Sequence, residues 1–123
     1  MLQRWEVIRV HRPHLLPPHD KFCIVIDEAA GWVLYINSSP PAFRKARALA
    51  VEIENFEAAF LRHNSFVDTT SHETLTAEEI AGAVADPARL HGFLIKAVQD
   101  RIRAMVASHG VLAPGPRALI LGE

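Results

Sequence analysis

Between Trp5 and Val10 apolar and polar positions alternate loosely, with aromatic and β-branched residues prominent, and this predicts a strand. His11 to Asp20 carries Pro13, Pro17 and Pro18. Proline fixes φ and donates no backbone hydrogen bond, so that stretch is expected as an irregular loop. Phe22-Cys23-Ile24-Val25-Ile26 is an unbroken apolar run, the pattern of a strand buried on both faces. Asp27 to Gly31 supplies a turn, with Gly31 free to take positive φ. Trp32-Val33-Leu34-Tyr35-Ile36 is the next strand, paired with the previous one as a hairpin, and Asn37-Ser38-Ser39-Pro40-Pro41 ends it.

Residues 42–61 carry two patterns at once. Phe43, Ala46, Ala50, Ile53, Phe56 and Phe60 lie at helical spacing, whereas Leu49, Val51 and Ile53 alternate with Ala50, Glu52 and Glu54 as in a strand. Phe66 to Thr70 predicts a short strand. Thr76 and Glu79 have the spacing of a capping box, opening a short helix towards Ala85. Asp86-Pro87 is a second helix start, after which Leu90, Phe93, Leu94, Ala97, Ile102, Met105 and Val106 follow helical spacing as far as a stop at Gly110. Residues 113–123 are expected as a tail, with Leu119-Ile120-Leu121 as an edge strand.

The length of 123 residues and an apolar half of the composition fit one domain over the whole chain and exclude disorder. No apolar run approaches the ~18–20 residues that span a bilayer, and the charged start Met1 to Glu6 lacks the apolar centre of a secretory leader. Cys23 is the only cysteine, so no internal disulfide forms, and a cytoplasmic location is expected. The net charge of −1 excludes a globally basic nucleic-acid coat but not a local basic patch. No phosphate-binding glycine loop, dinucleotide fingerprint or His-Glu-x-x-His motif occurs, so no cofactor is expected. His-x-x-His at His11 and His14, in a proline loop without a cysteine pair, is a poor basis for a four-ligand zinc site, and no metal is expected either.

Three segments resemble the PemK/MazF (plasmid growth inhibitor) toxin family. Pro18-His19-Asp20-Lys21-Phe22-Cys23-Ile24-Val25-Ile26 is similar to the family's basic residue leading into a buried Val/Ile strand. Val33-Leu34-Tyr35-Ile36-Asn37-Ser38 resembles its apolar strand ending in a hydroxyl residue. Phe60-Leu61-Arg62-His63-Asn64-Ser65-Phe66-Val67-Asp68 resembles its Ser-apolar-apolar strand. Leu90-His91-Gly92-Phe93-Leu94 and the helix to Val111-Leu112 look like its closing Gly-x-Leu helix, so the likeness covers roughly residues 5–112. It implies a mainly β fold with a C-terminal α-helix (α+β), a small SH3-like barrel, and favours the strand reading at about 48–54. It also implies a homodimer, an antitoxin partner, and cleavage of single-stranded RNA without metal. The chain departs from the pattern in two places: Arg12-Pro13 comes several residues early, and Asn37-Ser38 stands where many relatives have Thr. The family's acid, base and phosphate roles therefore do not transfer one by one.

Metal-independent RNA cleavage must deprotonate a 2′-hydroxyl, protonate the 5′ leaving oxygen and stabilise charge on phosphorus. The residues suited to this are His19, Lys21, Arg12, His14 and Ser38 as catalytic groups, with Asn37, Arg44, Lys45 and Arg47 as RNA contacts. His11 adds a third imidazole to the proline loop. His19 and Lys21 are expected to face solvent. The loop from Val10 to Lys21, the strand end at Ser38 and the basic cluster are expected to converge on one concave surface, with Ser38 within about 15 Å of Lys21. Each residue also has a plainer account: solvated loop histidines, a gatekeeper lysine at a strand edge, a turn-capping serine, a solvated basic face. Cys23 is expected as a buried, inert thiol. The near-neutral charge leaves a second class open, a non-catalytic barrel that inhibits or regulates by binding a protein partner.

Overall fold

The computed structural model describes residues 1–123. Strands β1 (Glu6–Arg12), β2 (His19–Asp27) and β3 (Trp32–Asn37) form an antiparallel meander. A short helix α1 (Arg44–Ala48) leads to β4 (Val51–Ile53), followed by β5 (Ser65–Val67) and the two-residue β6 (Glu73–Thr74). Helix α2 (Ala77–Val84), β7 (Leu90–Phe93), α3 (Lys96–Ala107) and α4 (Pro114–Leu121) complete the chain. The strands make one sheet in the order β4-β5-β3-β2-β1-β7, with β6 pairing β3 beside that path. It is an open, curled half-barrel whose two ends are β4 and β7. No helix is long and apolar enough to cross a membrane.

Strand β2 is the centre of the sheet, and its side chains alternate between two apolar layers, as the pleat requires. Ile24 and Ile26 join Val7, Leu34, Ile36, Ile53 and Val67 under α3 and α4, which contribute Val98, Ile102, Val106 and Ile120. Cys23 and Val25 face the other way, with Ile8, Val10, Val33, Leu75 and Ala83 of α2. The apolar run predicted as a doubly buried strand is one: residues 23–26 are all at most 2% exposed. The turn prediction also holds. Gly31 has φ 75°, and a Cβ there would collide with the Leu75 carbonyl.

Four expectations need correction. His11 and Arg12 pair with Asp20 and His19, so the ladder runs on into the stretch expected as loop. Only residues 13–18, which the prolines bracket, leave the sheet. Both patterns in residues 42–61 are realised in succession, as α1 and then β4. The strand favoured at about 48–54 is present as β4, whereas Phe43 and Phe56, which the helical spacing groups together, stay 83% and 79% exposed. Asp86-Pro87 starts a single turn over Pro87–Arg89 and no more, because the following residues pair with β1 as β7 and the long helix starts only at Lys96. Residues 113–123 are no tail with an edge strand. Pro114 and Pro116 sit in the first turn of α4, where the backbone N–H groups need no helical partner, and Pro116 and Ile120 are buried.

Arg12 is turned away from solvent on the α2 side of the sheet. Its Nη1 donates to both carboxylate oxygens of Glu79, at 2.8 and 2.9 Å, and its side chain is 8% exposed. Glu79 is also the acid of the capping box with Thr76, so one carboxylate ties the start of α2 to the end of β1. On the opposite side the Oγ1 of Thr69 donates to the Leu49 carbonyl at 2.7 Å. It accepts from Nε2 of His109 at 3.0 Å, and Nδ1 of His109 accepts from the Val111 N–H. This network clamps the turn before α4 to the strands.

Burial alone would raise the Glu79 pKa, but the Thr76 N–H and the Arg12 guanidinium hold it below the ordinary value. A depressed carboxylate stabilises the fold fully above its unfolded pKa, and that contribution is lost as pH falls through the folded one. Glu57, held by hydrogen bonds from Arg101, acts in the same direction. Arg12→Ala leaves a partly buried carboxylate unpaired and is expected to cost about 2–4 kcal/mol in urea unfolding at pH 7. The variant's penalty should shrink as the pH is lowered into the acid range. A constant penalty would show that Glu79 is not the group concerned.

Candidate functional site

A cleft of about 500 Å³ opens on the α3/α4 side of the sheet, bordered by Arg9, His19, Asp20, Lys21, Phe22, Ile36, Ser38, Phe60, Leu61, Arg62, His63, Ser65 and His91. That volume lies in the range of small-molecule pockets. Strand pairing explains who reaches it. Arg9 lies directly opposite Phe22, and Phe22 opposite Ile36, so these side chains share one face. The loop ahead of β5 brings Phe60 to His63, and β7 brings His91. Phe22, Phe60 and His91 form a three-ring cluster with centroids 4.7, 5.2 and 5.2 Å apart.

Two imidazoles on the walls are held in a defined state. Nδ1 of His19 lies 2.6 Å from the Pro17 carbonyl oxygen, and Nδ1 of His63 lies 2.9 Å from that of Asn64. A carbonyl only accepts, so each Nδ1 carries the proton, leaving Nε2 free to take or give one. His91 differs: its Nε2 is buried without a hydrogen-bond partner, and burial together with the charge of Arg9 lowers its pKa. Asp20 is the only acid bordering the cleft. Arg89 Nη1 donates to it at 3.3 Å and His11 Nδ1 lies 3.0 Å from it, whereas Arg9 Nε, at 3.3 Å, pairs with it by charge alone and makes no hydrogen bond.

The candidates read from the sequence divide accordingly. His19 and Ser38 border the cleft, and the hairpin sets Ser38 beside Lys21 as expected. Lys21 borders it as well, but its ammonium lies on the opposite face, bonded to the Asn37 side-chain oxygen and 5.3 Å from the Tyr35 ring centroid. The expectation of a solvent-facing catalytic lysine is therefore corrected, and burial lowers its pKa. Asn37 is engaged in that same contact and is no groove residue. Arg12, placed in the catalytic set from sequence, belongs to the buried pair with Glu79. His14 stands exposed in the proline loop outside the cleft. Arg44, Lys45 and Arg47 are exposed on α1 and do not border the cleft, so the expected convergence is incomplete.

Arg9, Phe22, Phe60, Arg62, His63, Ser65 and His91 were not singled out as site residues from sequence. Arg9 and Phe22 had one legible signal, since pairing β1 with β2 about a loop at residues 13–18 sets them opposite each other. His91 was hidden by the helical reading of Leu90–Phe93. No three His, Cys, Asp or Glu side chains converge to hold a metal ion. The sequence matches none of the family models it was compared with, and a search of curated proteins returned no similar sequence.

Cys23, fully buried beneath α2, has its pKa pushed up to about 12, first by burial. It should resist a disulfide reagent at pH 8 in the native protein and react only upon denaturation. Lys21→Ala is expected to cost about 1 kcal/mol through the lost hydrogen bond and cation–π contact. Thermal unfolding measures it, and no change in stability would contradict a structural role for this lysine.

Proposed function

We propose that this protein is a PemK/MazF-like toxin component that cleaves single-stranded RNA without a metal ion, and that the cleft is its active site. One observation carries the reading. His19 and His63, each with Nδ1–H tied to a backbone carbonyl and Nε2 free, border one cleft with Arg9 and Arg62. One imidazole, neutral, takes the proton of the attacking 2′-hydroxyl, and the other, protonated, gives one to the 5′ leaving oxygen. The guanidinium groups stabilise the charge developing on phosphorus, and the product is a cyclic phosphate. The curled sheet is read in this proposal as an opened form of an SH3-like barrel. A homodimer and an antitoxin that covers the cleft complete the reading by resemblance.

A second reading has its own observation. Leu90, Phe93 and Ile95 are 37%, 55% and 46% exposed in and just after β7, an open end of the sheet. A strand with one free edge flanked by apolar side chains suits a protein partner. In that reading the protein inhibits by binding and its RNA substrate is dispensable.

Purified protein incubated with long single-stranded RNA and EDTA should produce fragments ending in cyclic phosphate. His19→Ala and His63→Ala should each slow this by about 10²–10⁴-fold without loss of fold. Absence of cleavage across several RNAs at any protein concentration would refute the activity. Growth arrest with intact cellular RNA would then support the protein-binding reading.

A further inference from the structure

We propose that the floor of the cleft is a subsite for an unpaired guanine base, stacked on the Phe60–Phe22–His91 cluster and read by the guanidinium of Arg9. The proposal rests on the RNA reading above and assigns a base preference to it.

The cluster is built from three separate parts of the chain: Phe22 from β2, Phe60 from the loop before β5, and His91 from β7. All three rings are only half-buried although each touches the other two. They therefore keep apolar ring surface turned into a concave space. A planar base covers such surface well, and stacking on aromatic rings is a general mode of single-strand recognition. The walls around the rings carry Arg62, His19 and His63, which suit the adjoining phosphates.

Stacking alone accepts any base, so the choice falls to the polar groups beside the rings. Arg9 is fixed opposite Phe22 by the β1–β2 register. Its Nε lies 3.3 Å from Asp20 as an ion pair without a hydrogen bond, because the hydrogen bonds of Asp20 go to His11 and Arg89, and the Arg9 guanidinium keeps its donors unengaged. A guanidinium fork donates two parallel hydrogen bonds, and guanine offers two adjacent acceptors, O6 and N7. Adenine sets an amino donor next to N7 and so opposes the fork, whereas cytosine meets it only through N3 and O2 on a single ring that covers less of the three-ring floor. Uracil has O2 and O4 on either side of its N3–H donor, so it offers no two adjacent acceptors, and it too covers less of the floor. Asp20, held in turn by Arg89 and His11, sets its negative charge beside the Arg9 guanidinium.

The test is calorimetric titration of the wild-type protein with GMP, AMP, CMP and UMP, together with mapping of cut sites on an RNA containing all four bases. GMP should bind at least about tenfold more tightly than the others, and cuts should lie beside guanines. Arg9→Lys keeps the charge but loses the fork, so GMP affinity should fall to the AMP level while phosphate contact persists. Phe60→Leu should weaken all four nucleotides together. Should that variant unfold on heating below the wild type, His91→Gln tests the same stack. Equal affinity for the four nucleotides, or cuts spread evenly over all bases, would overturn the guanine subsite while leaving RNA cleavage standing. Tight GMP binding without any cleavage would uphold the subsite and overturn the nuclease reading.

Discussion

The constraint on which the rest depends is the two-sided burial of β2. Its residues 23–26 alternate between the layer beneath α3 and α4 and the layer beneath α2, and both layers are apolar clusters around the strand. Because the period of a strand is two, a slip of one residue would exchange the two sets completely. The register is therefore held by both cores at once. That register also decides the chemistry. It sends Phe22 and its partner Arg9 to the cleft, and it sends Lys21, Asn37 and Arg12 to the α2 side.

The two faces consequently do different work with the same residue types. On the α2 side the cations are spent on structure: Arg12 on Glu79, and Lys21 on Asn37 and the Tyr35 ring. On the cleft side cations and imidazoles stand around a space with a single acid, which is itself surrounded by Arg9, Arg89 and His11. A chain with a net charge of −1 can thus present a locally positive cleft. These partly exposed pairs are individually weak, so salt should affect the cleft more than the Arg12–Glu79 pair.

The strands, the Gly31 turn and the capped start of α2 were legible because each depends on local chemistry: periodicity, a positive φ, and a Thr–Glu capping box. The end of the proline loop was misread because prolines forbid pairing only where they stand, and His11, Arg12, His19 and Asp20 lie outside them. β7 and α4 were missed for a tertiary reason. The free edge of β1 takes Leu90–Phe93 as a partner, and the apolar layer takes Pro116 and Ile120, against the local helix and breaker signals. Arg12, Lys21 and Asn37 of the expected site failed for want of parity. Arg12 and Lys21 looked right by residue type, but which face they occupy follows from register and not from composition.

Parity also explains why the cleft collects its third ring. β7 pairs with β1 over a short stretch with a register shift between Glu6 and Ile8, and Gly92 takes φ 75° within it. The strand is anchored beyond that point by the Leu94 N–H donating to the Trp5 carbonyl at 2.9 Å. Trp5 itself has φ 76°, a costly conformation for a bulky residue, held by its own N–H on the Val25 carbonyl and by burial of its ring. The bend lets Leu94 enter the apolar layer while His91 meets Phe22 and Phe60 at the cleft. The strained start of β1 and the composition of the cleft are therefore two ends of one arrangement, in which the edge strand must serve the core and the cleft within four residues.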